Sequence, residues 1–264
     1  MKESRQFTFG SAAEFPHLPS APIVEAVIHW RARINKALVP NDLKEQLVER
    51  LPGYLEFQQQ HELEIGALIE ADGSSTQIRR DTWRGFRCNS TDEKYVAQFH
   101  RDGFIFSRLS PYENWNQFSQ EALRLWKVFV GLAEPEEIQR LGVRFINRIP
   151  LAAISDVGRV LSKPPRCLES IELASSGFFQ RNEHQVPGHP FQINVIQTVQ
   201  PSVPGEAEGL GLILDLDVFT TQAFGCDDAT LEDRLTKMRW LKDKAFFSLL
   251  KPAAIRRFER EAKR

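Results

Sequence analysis

Along the segment IVEAVIHWRARI, Glu25, His29, Arg31 and Arg33 alternate with apolar residues, and in LGVRFINRIP Arg144, Asn147 and Arg148 recur in a similar setting. Guanidinium forks suit carboxylates and phosphates. If the two segments share one sheet, Glu25, His29, Arg144, Asn147 and Arg148 converge with Asp215 as a binding patch for a partner or a small anionic ligand. The plainer reading is cross-strand ion pairing, Glu25 with one of these arginines, because opposite charges facing each other across strands stabilise sheets.

Asp215 and Asp217 alternate with Leu214, Leu216 and Val218 in GLILDLDVF. A DxD pair holds Mg²⁺ when further carboxylates join it. No second acidic motif and no Gly-rich phosphate loop accompanies it, so a strand face partnered by Arg or Lys explains it as well. His184 and His189 lie in a Pro/Gly-containing stretch with no helix to set metal-ligand geometry, and they read as turn residues. The sequence contains no G-x-S-x-G, H-E-x-x-H, G-x-G-x-x-G or G-x-x-x-x-G-K-[ST] motif. Cys88 follows Arg84 and Arg87, which would favour its thiolate, yet no base is paired with it, and packed core is the simpler role. No catalytic residue, metal or cofactor is therefore assigned. The third reading, a metal-dependent enzyme built on Asp215 and Asp217, ranks below binding.

A second kind of chemistry is nucleic-acid binding. Arg79, Arg80, Arg84 and Arg87 surround Trp83, and Phe104 and Phe106 alternate next to Arg101 and Arg108. Aromatic and Arg side chains interleaved on a sheet stack and neutralise single strands. Lys251, Arg256 and Arg257 belong to a basic C-terminal stretch. From Lys237 onward ten basic residues stand against three acidic ones, a local +7 in a chain whose net charge is −1. The competing explanations are core packing for the aromatics and the helix dipole for the terminal cations.

The 264 residues are 42% hydrophobic and 26% charged, enough to bury a core without disulfide staples. Balanced charge excludes the whole-protein electrostatic footprint of a dedicated duplex-DNA binder. Cys88, Cys167 and Cys226 stand apart, so neither a disulfide framework nor a zinc knuckle is expected. The polar N-terminus carries no signal-peptide apolar region and no stretch has the length of a membrane span. The expectation is a cytoplasmic protein with reduced thiols.

Positioning these residues falls to a regular series of elements. Residues 1–21, with three prolines from 16 to 22 counting Pro22, read as an irregular leader over the surface. Ile23 to Ile34 alternates as a strand, and Pro40, Asn41 and the leucines that follow predict a helix to Leu51 capped by Asn41. Strands follow near 60–70, 76–88, 93–100 and 103–109, with Asp72-Gly73 and Asp102-Gly103 as hairpin turns. An amphipathic helix over 111–132 closes the first half at about residue 136. The second half, 137–264, predicts a strand over 141–149, a helix over 151–161, strands near 168–180, 190–199 and 209–219, and a helix from 230 to 250 running into the basic tail. Read as the order β-α-β(4)-α used twice, with three of the four strands marked in the second half, this internal duplication of element order without sequence identity is an α+β helix-grip arrangement that resembles the TATA-binding-protein-like fold. Long helices then cover one face of an antiparallel sheet and leave the other open. A homodimer is one way such a sheet covers its edge strands.

Three segments resemble a known family: Pro22 to Ile28 (PIVEAVI), Phe106 to Trp115 (FSRLSPYENW) and Arg140 to Pro150 (RLGVRFINRIP). It is a sporadically distributed prokaryotic family of uncharacterised proteins similar in size to this chain, and the likeness spans most of residues 20–150. The resemblance implies a bacterial, stand-alone protein with the patchy distribution of stress or phage-defence genes. It implies no activity, ligand or catalytic residue.

Overall fold

The computed structural model describes residues 7–11, 14–69, 75–165, 175–202 and 209–260. They form a mixed α/β structure around one antiparallel sheet of nine strands with five α-helices among the described residues. In chain order the elements are β1 (Ile23–Ile34), α1 (Pro40–Arg50), β2 (Tyr54–Ile69), β3 (Ser75–Ser90), β4 (Tyr95–His100), β5 (Gly103–Leu109), α2 (Trp115–Ala133), β6 (Pro135–Leu151), α3 (Val157–Val160), β7 (Phe179–Gln185), β8 (Gln192–Pro201), β9 (Leu210–Thr220), α4 (Asp228–Leu249) and α5 (Pro252–Ile255). Across the sheet the order is β2-β3-β4-β5-β1-β6-β9-β8-β7. The opening strands of the two predicted halves, β1 and β6, pair with each other, so the sheet is continuous.

Period-two alternation sorts β1 onto two faces. Ala26, Ile28, Trp30 and Ala32 are buried, and in register they meet Phe145, Val143 and Leu141 of β6 and Phe106 and Phe104 of β5. The apolar stripe of α2 lies on this face: Trp126 stacks on Trp30 with centroids 5.3 Å apart, and Phe118 stacks on Phe106 at 5.6 Å. Burying each such ring is worth about 1.5 to 3 kcal/mol, which is why aromatics dominate the seam. Asn114 caps α2 by accepting from the Gln117 backbone N–H, and Asp227 caps α4 through Thr230 in the same way.

Hairpins need glycine where strands cross closely. A Cβ on Gly103, the first residue of β5, would lie 2.0 Å from the Trp30 carbonyl oxygen, and one on Gly85 of β3 1.9 Å from that of Phe99. Beyond Gly85 a register shift between Gln60 and His61 frees β2 and β3 from β4, and the two continue as a two-stranded ribbon.

Several expectations are corrected. Asn41 does not cap α1: Val39 is the N-cap with no side-chain bond, and Pro40 takes the first helical position, where its missing N–H costs nothing. The helix expected over 151–161 shrinks to a 3-10 turn, Ile154–Asp156, and the single turn α3. The predicted strand near 168–180 falls largely on residues outside the described ones, as do Asp72-Gly73 and Cys167. The described strand, β7, starts at Phe179 and takes in His184. At the C-terminus α4 stops at Leu249, Leu250 bridges to Leu161, and Pro252 opens α5 instead of extending one helix. The described part of the leader is held down: Phe7 and Phe9 pack edge-on against Trp240, and the Ser20 amide donates to the Phe258 carbonyl.

Candidate functional site

The face opposite α2 carries the polar half of the central alternation. Register sets His29 of β1 opposite Gly142, Val27 opposite Arg144, and Arg144 opposite Asp217 of β9. Of the residues expected to converge, Glu25, His29, Arg144, Arg148 and Asp215 share this face. Asn147 does not: as the odd member between Ile146 and Arg148 it points to the helix side, 2% exposed, with its Nδ2 donating to the Leu214 carbonyl at 2.9 Å. Its alternation with Val143 and Phe145 was the signal for that.

The arginines expected to hold an anion are engaged by the chain itself. Arg144 grips Asp215 with both arms of its fork, at 2.8 and 2.5 Å, reaching diagonally rather than across to Glu25. Asp215 is 6% exposed, so this is a carboxylate withdrawn from water and paid back by a bidentate partner. Arg140 donates to His29 Nδ1 at 2.9 Å and to Asp217 at 3.1 Å, while burial pushes the Asp217 carboxyl up against the pull of Arg140 and Arg144. Arg148 donates to the Pro201 carbonyl at 2.7 Å. The DxD of β9 is thus an ion-paired strand face.

Because a guanidinium only donates, the bond from Arg140 fixes His29 Nδ1 as an acceptor. Burial, with Arg140 beside it, lowers the His29 pKa to about 4. His100 at the end of β4 is shifted the same way by burial and by Arg84. It donates from Nε2 to Gln60 Oε1 at 2.6 Å, and Gln60 donates on to Gln98 at 2.9 Å. Both imidazoles are therefore neutral at pH 7.

These two histidines line an open hollow of about 670 Å³, together with Arg31, Gln60, Arg84 and Asp102. Arg31 and Arg84 approach the Asp102 carboxylate from two sides at 3.6 and 3.7 Å, and Arg84 stands 3.4 Å from Glu62. The two contacts to Asp102 exceed hydrogen-bond length, and neither side chain makes a hydrogen bond to any described residue. Arg31, Gln60, His100 and Asp102 were not among the predicted binding residues. Arg31 stood on the right face of β1, whereas His100 and Asp102 border a hairpin turn whose neighbours only the sheet order reveals.

The residues expected to contact nucleic acid are separated. Arg79, Arg80 and Arg84 lie on the ribbon, where Arg80 and Arg84 face Glu64 and Glu62 at 3.8 and 3.4 Å. Arg87 is exposed further along β3. Lys251 donates to the Gly158 carbonyl in the other half, and Arg256 and Arg257 are exposed beside it. Phe104 and Phe106 are 0% exposed and packed under α2, so they offer no stacking face to a base. Burial pushes the Cys88 thiol up to about 12, which removes it as a nucleophile. His189 is spent on the Phe7 carbonyl at 2.9 Å. Among the described residues no three His, Cys, Asp or Glu side chains are grouped as metal ligands would be, and no helix is long and apolar enough to cross a membrane. Compared with known proteins, the chain is matched by no family model and by no curated sequence.

Proposed function

We propose that the protein is a non-catalytic binding protein that takes a small anionic ligand in the hollow on the open face of its sheet. The observation that carries this reading is the pair Arg31 and Arg84, two guanidinium groups that line one hollow, stand 3.4 to 3.7 Å from Glu62 and Asp102, and make no hydrogen bond to any described residue. An anion entering there gains fork-shaped, charge-assisted bonds without breaking a strong pair. The neutral His100 and His29 border the same hollow as polar walls. Arg144 and Arg140, by contrast, hold the sheet together through Asp215 and Asp217.

The finer fold reading belongs to the same proposal. Two helix-grip halves in a TATA-binding-protein-like arrangement account for a strand order in which β1 and β6 lie side by side and each half runs outward from them. Membership of the sporadically distributed prokaryotic family is likewise proposed. The three segments that carry the likeness fall on β1, on β5 with the start of α2, and on β6, which are adjacent in the sheet.

Native mass spectrometry of protein purified gently at low salt tests the function. The expected result is an added mass of a small anion that is missing from the Arg31→Gln/Arg84→Gln variant. A bare mass for both proteins overturns the reading, and a retained oligonucleotide would replace it with nucleic-acid binding.

A further inference from the structure

Behind the sheet, where the leader passes between the start of α2 and the middle of α4, a cleft of about 160 Å³ lies against Phe145 of β6 and Asn147. We infer that this cleft binds a small carboxylate ligand carrying a single negative charge and an apolar body the size of one ring.

Size sets the first limit, since a cavity of about 150 Å³ in a protein core accommodates one benzene molecule. The walls set the second. Phe15, Trp115, Phe145 and Phe247 line the cleft, and Phe15 and Phe247 are stacked on each other at 5.3 Å. Such faces accept an apolar ring and offer little to a strongly hydrated ion.

Charge sets the third limit. Lys242 is 8% exposed, with Nζ 2.5 Å from Asp243 Oδ1 and 3.8 Å from the centroid of the Phe145 ring. Arg239 stands over the Trp115 ring at 5.6 Å and reaches Asp243 only at 3.7 Å. The Glu113 carboxylate at the rim is taken by Arg108 at 2.8 Å. Both carboxylates of the cleft therefore already have cations, whereas Arg239 makes no hydrogen bond to a described residue and the Tyr112 hydroxyl makes none either. Among the lining side chains Arg239 and Lys242 balance Glu113 and Asp243, and Arg108, outside the cleft, meets the Glu113 charge, so the Arg239 guanidinium is the cation of the cleft with its donors unspent on a described residue. A cleft with one guanidinium and one hydroxyl making no hydrogen bond to a described residue, between aromatic walls, matches a monoanion that buries a ring. Burial lowers the Lys242 pKa, with Asp243 opposing, so a second anion near it also relieves the cost of keeping the ammonium charged.

The site is separate from the open-face hollow, which lies on the other side of the sheet, and the two readings stand or fall independently. Isothermal titration of the full chain with benzoate tests it, with acetate supplying the charge without the ring and benzyl alcohol the ring without the charge. The expected result is saturable benzoate binding that is at least about tenfold tighter than either control and weakened about tenfold or more by Arg239→Gln. Arg239 is partly exposed and its loss leaves the fold intact, which an unchanged melting temperature without ligand verifies. Trp115→Leu, a second variant, weakens benzoate through the wall rather than the charge. Arg31→Gln/Arg84→Gln leaves benzoate affinity unchanged. Absence of saturable benzoate binding, or binding indifferent to both Arg239→Gln and Trp115→Leu, overturns the site. Benzyl alcohol binding as tightly as benzoate overturns the assignment of a carboxylate.

Discussion

Arg144 and Arg31 are the same residue type on the same face of one sheet, and their partners give them different duties. Arg144 spends its fork on a carboxylate that is almost wholly buried. Removing it as Arg144→Gln leaves Asp215 charged and unpaired, and the expected cost is about 2 to 5 kcal/mol in urea unfolding. Adding Asp215→Asn removes the stranded charge, so the double variant recovers part of that loss. A double variant no more stable than the single one would show that Asp215 is not the group being stranded. His29 makes a prediction in pH. Its pKa in the folded chain lies near 4, below the unfolded value of 6.5, so between these two values the unfolded chain binds the extra proton. Stability is therefore full above about pH 6.5 and falls as the pH drops toward 4, by up to about 3 kcal/mol from this group. His29→Gln flattens that part of the stability profile, and an unflattened profile would assign the titration elsewhere.

At the scale of the element, close crossings make two glycines structural. Gly103→Ala places a methyl group 2.0 Å from the Trp30 carbonyl oxygen, so β5 must move away from β1. The expected result is a loss of more than about 2 kcal/mol, or failure to fold, measured by thermal unfolding. A variant as stable as the parent would mean that the crossing yields without cost. Much of this level was legible from the chain alone. β1 alternates cleanly and β5 begins at the glycine of a turn signal, so both could be drawn from residue types. β7 could not, because FQRNEHQ has no apolar alternation: its side chains are exposed or half-buried, and its pairing with β8 supplies what patterning does not. α1 misled through its cap, since Asn41 had the right chemistry but Pro40 opens the helix, which leaves Val39 as the cap and Asn41 inside the first turn. The site was half legible for a related reason. Alternation identifies a face, and placed His29, Arg144 and Asp215 together. Which arginines have partners depends on strands far apart in the chain or neighbours only by sheet order, β1 with β5, β3 with β4 and β6 with β9.

The described residues form a single sheet zipped at β1 and β6, with the described parts of the leader and of the C-terminal segment clasped over the helix side. Because the two halves share that central pair, they are expected to unfold together, with circular dichroism and tryptophan fluorescence giving one coincident transition. Two separated transitions would mean that each half holds itself together. Two recesses flank the shared strands, and the open-face hollow carries the central claim that Arg31 and Arg84, rather than Arg144, receive an anion. The most direct test is NMR of the arginine side-chain N–H groups and of the His100 ring during titration with inorganic phosphate and with citrate. Saturable shifts are expected at Arg31, Arg84 and His100 with at least one of the two anions, while Arg144 stays fixed on Asp215. Saturable shifts at Arg144, or none at Arg31 and Arg84 with either anion, would contradict that claim.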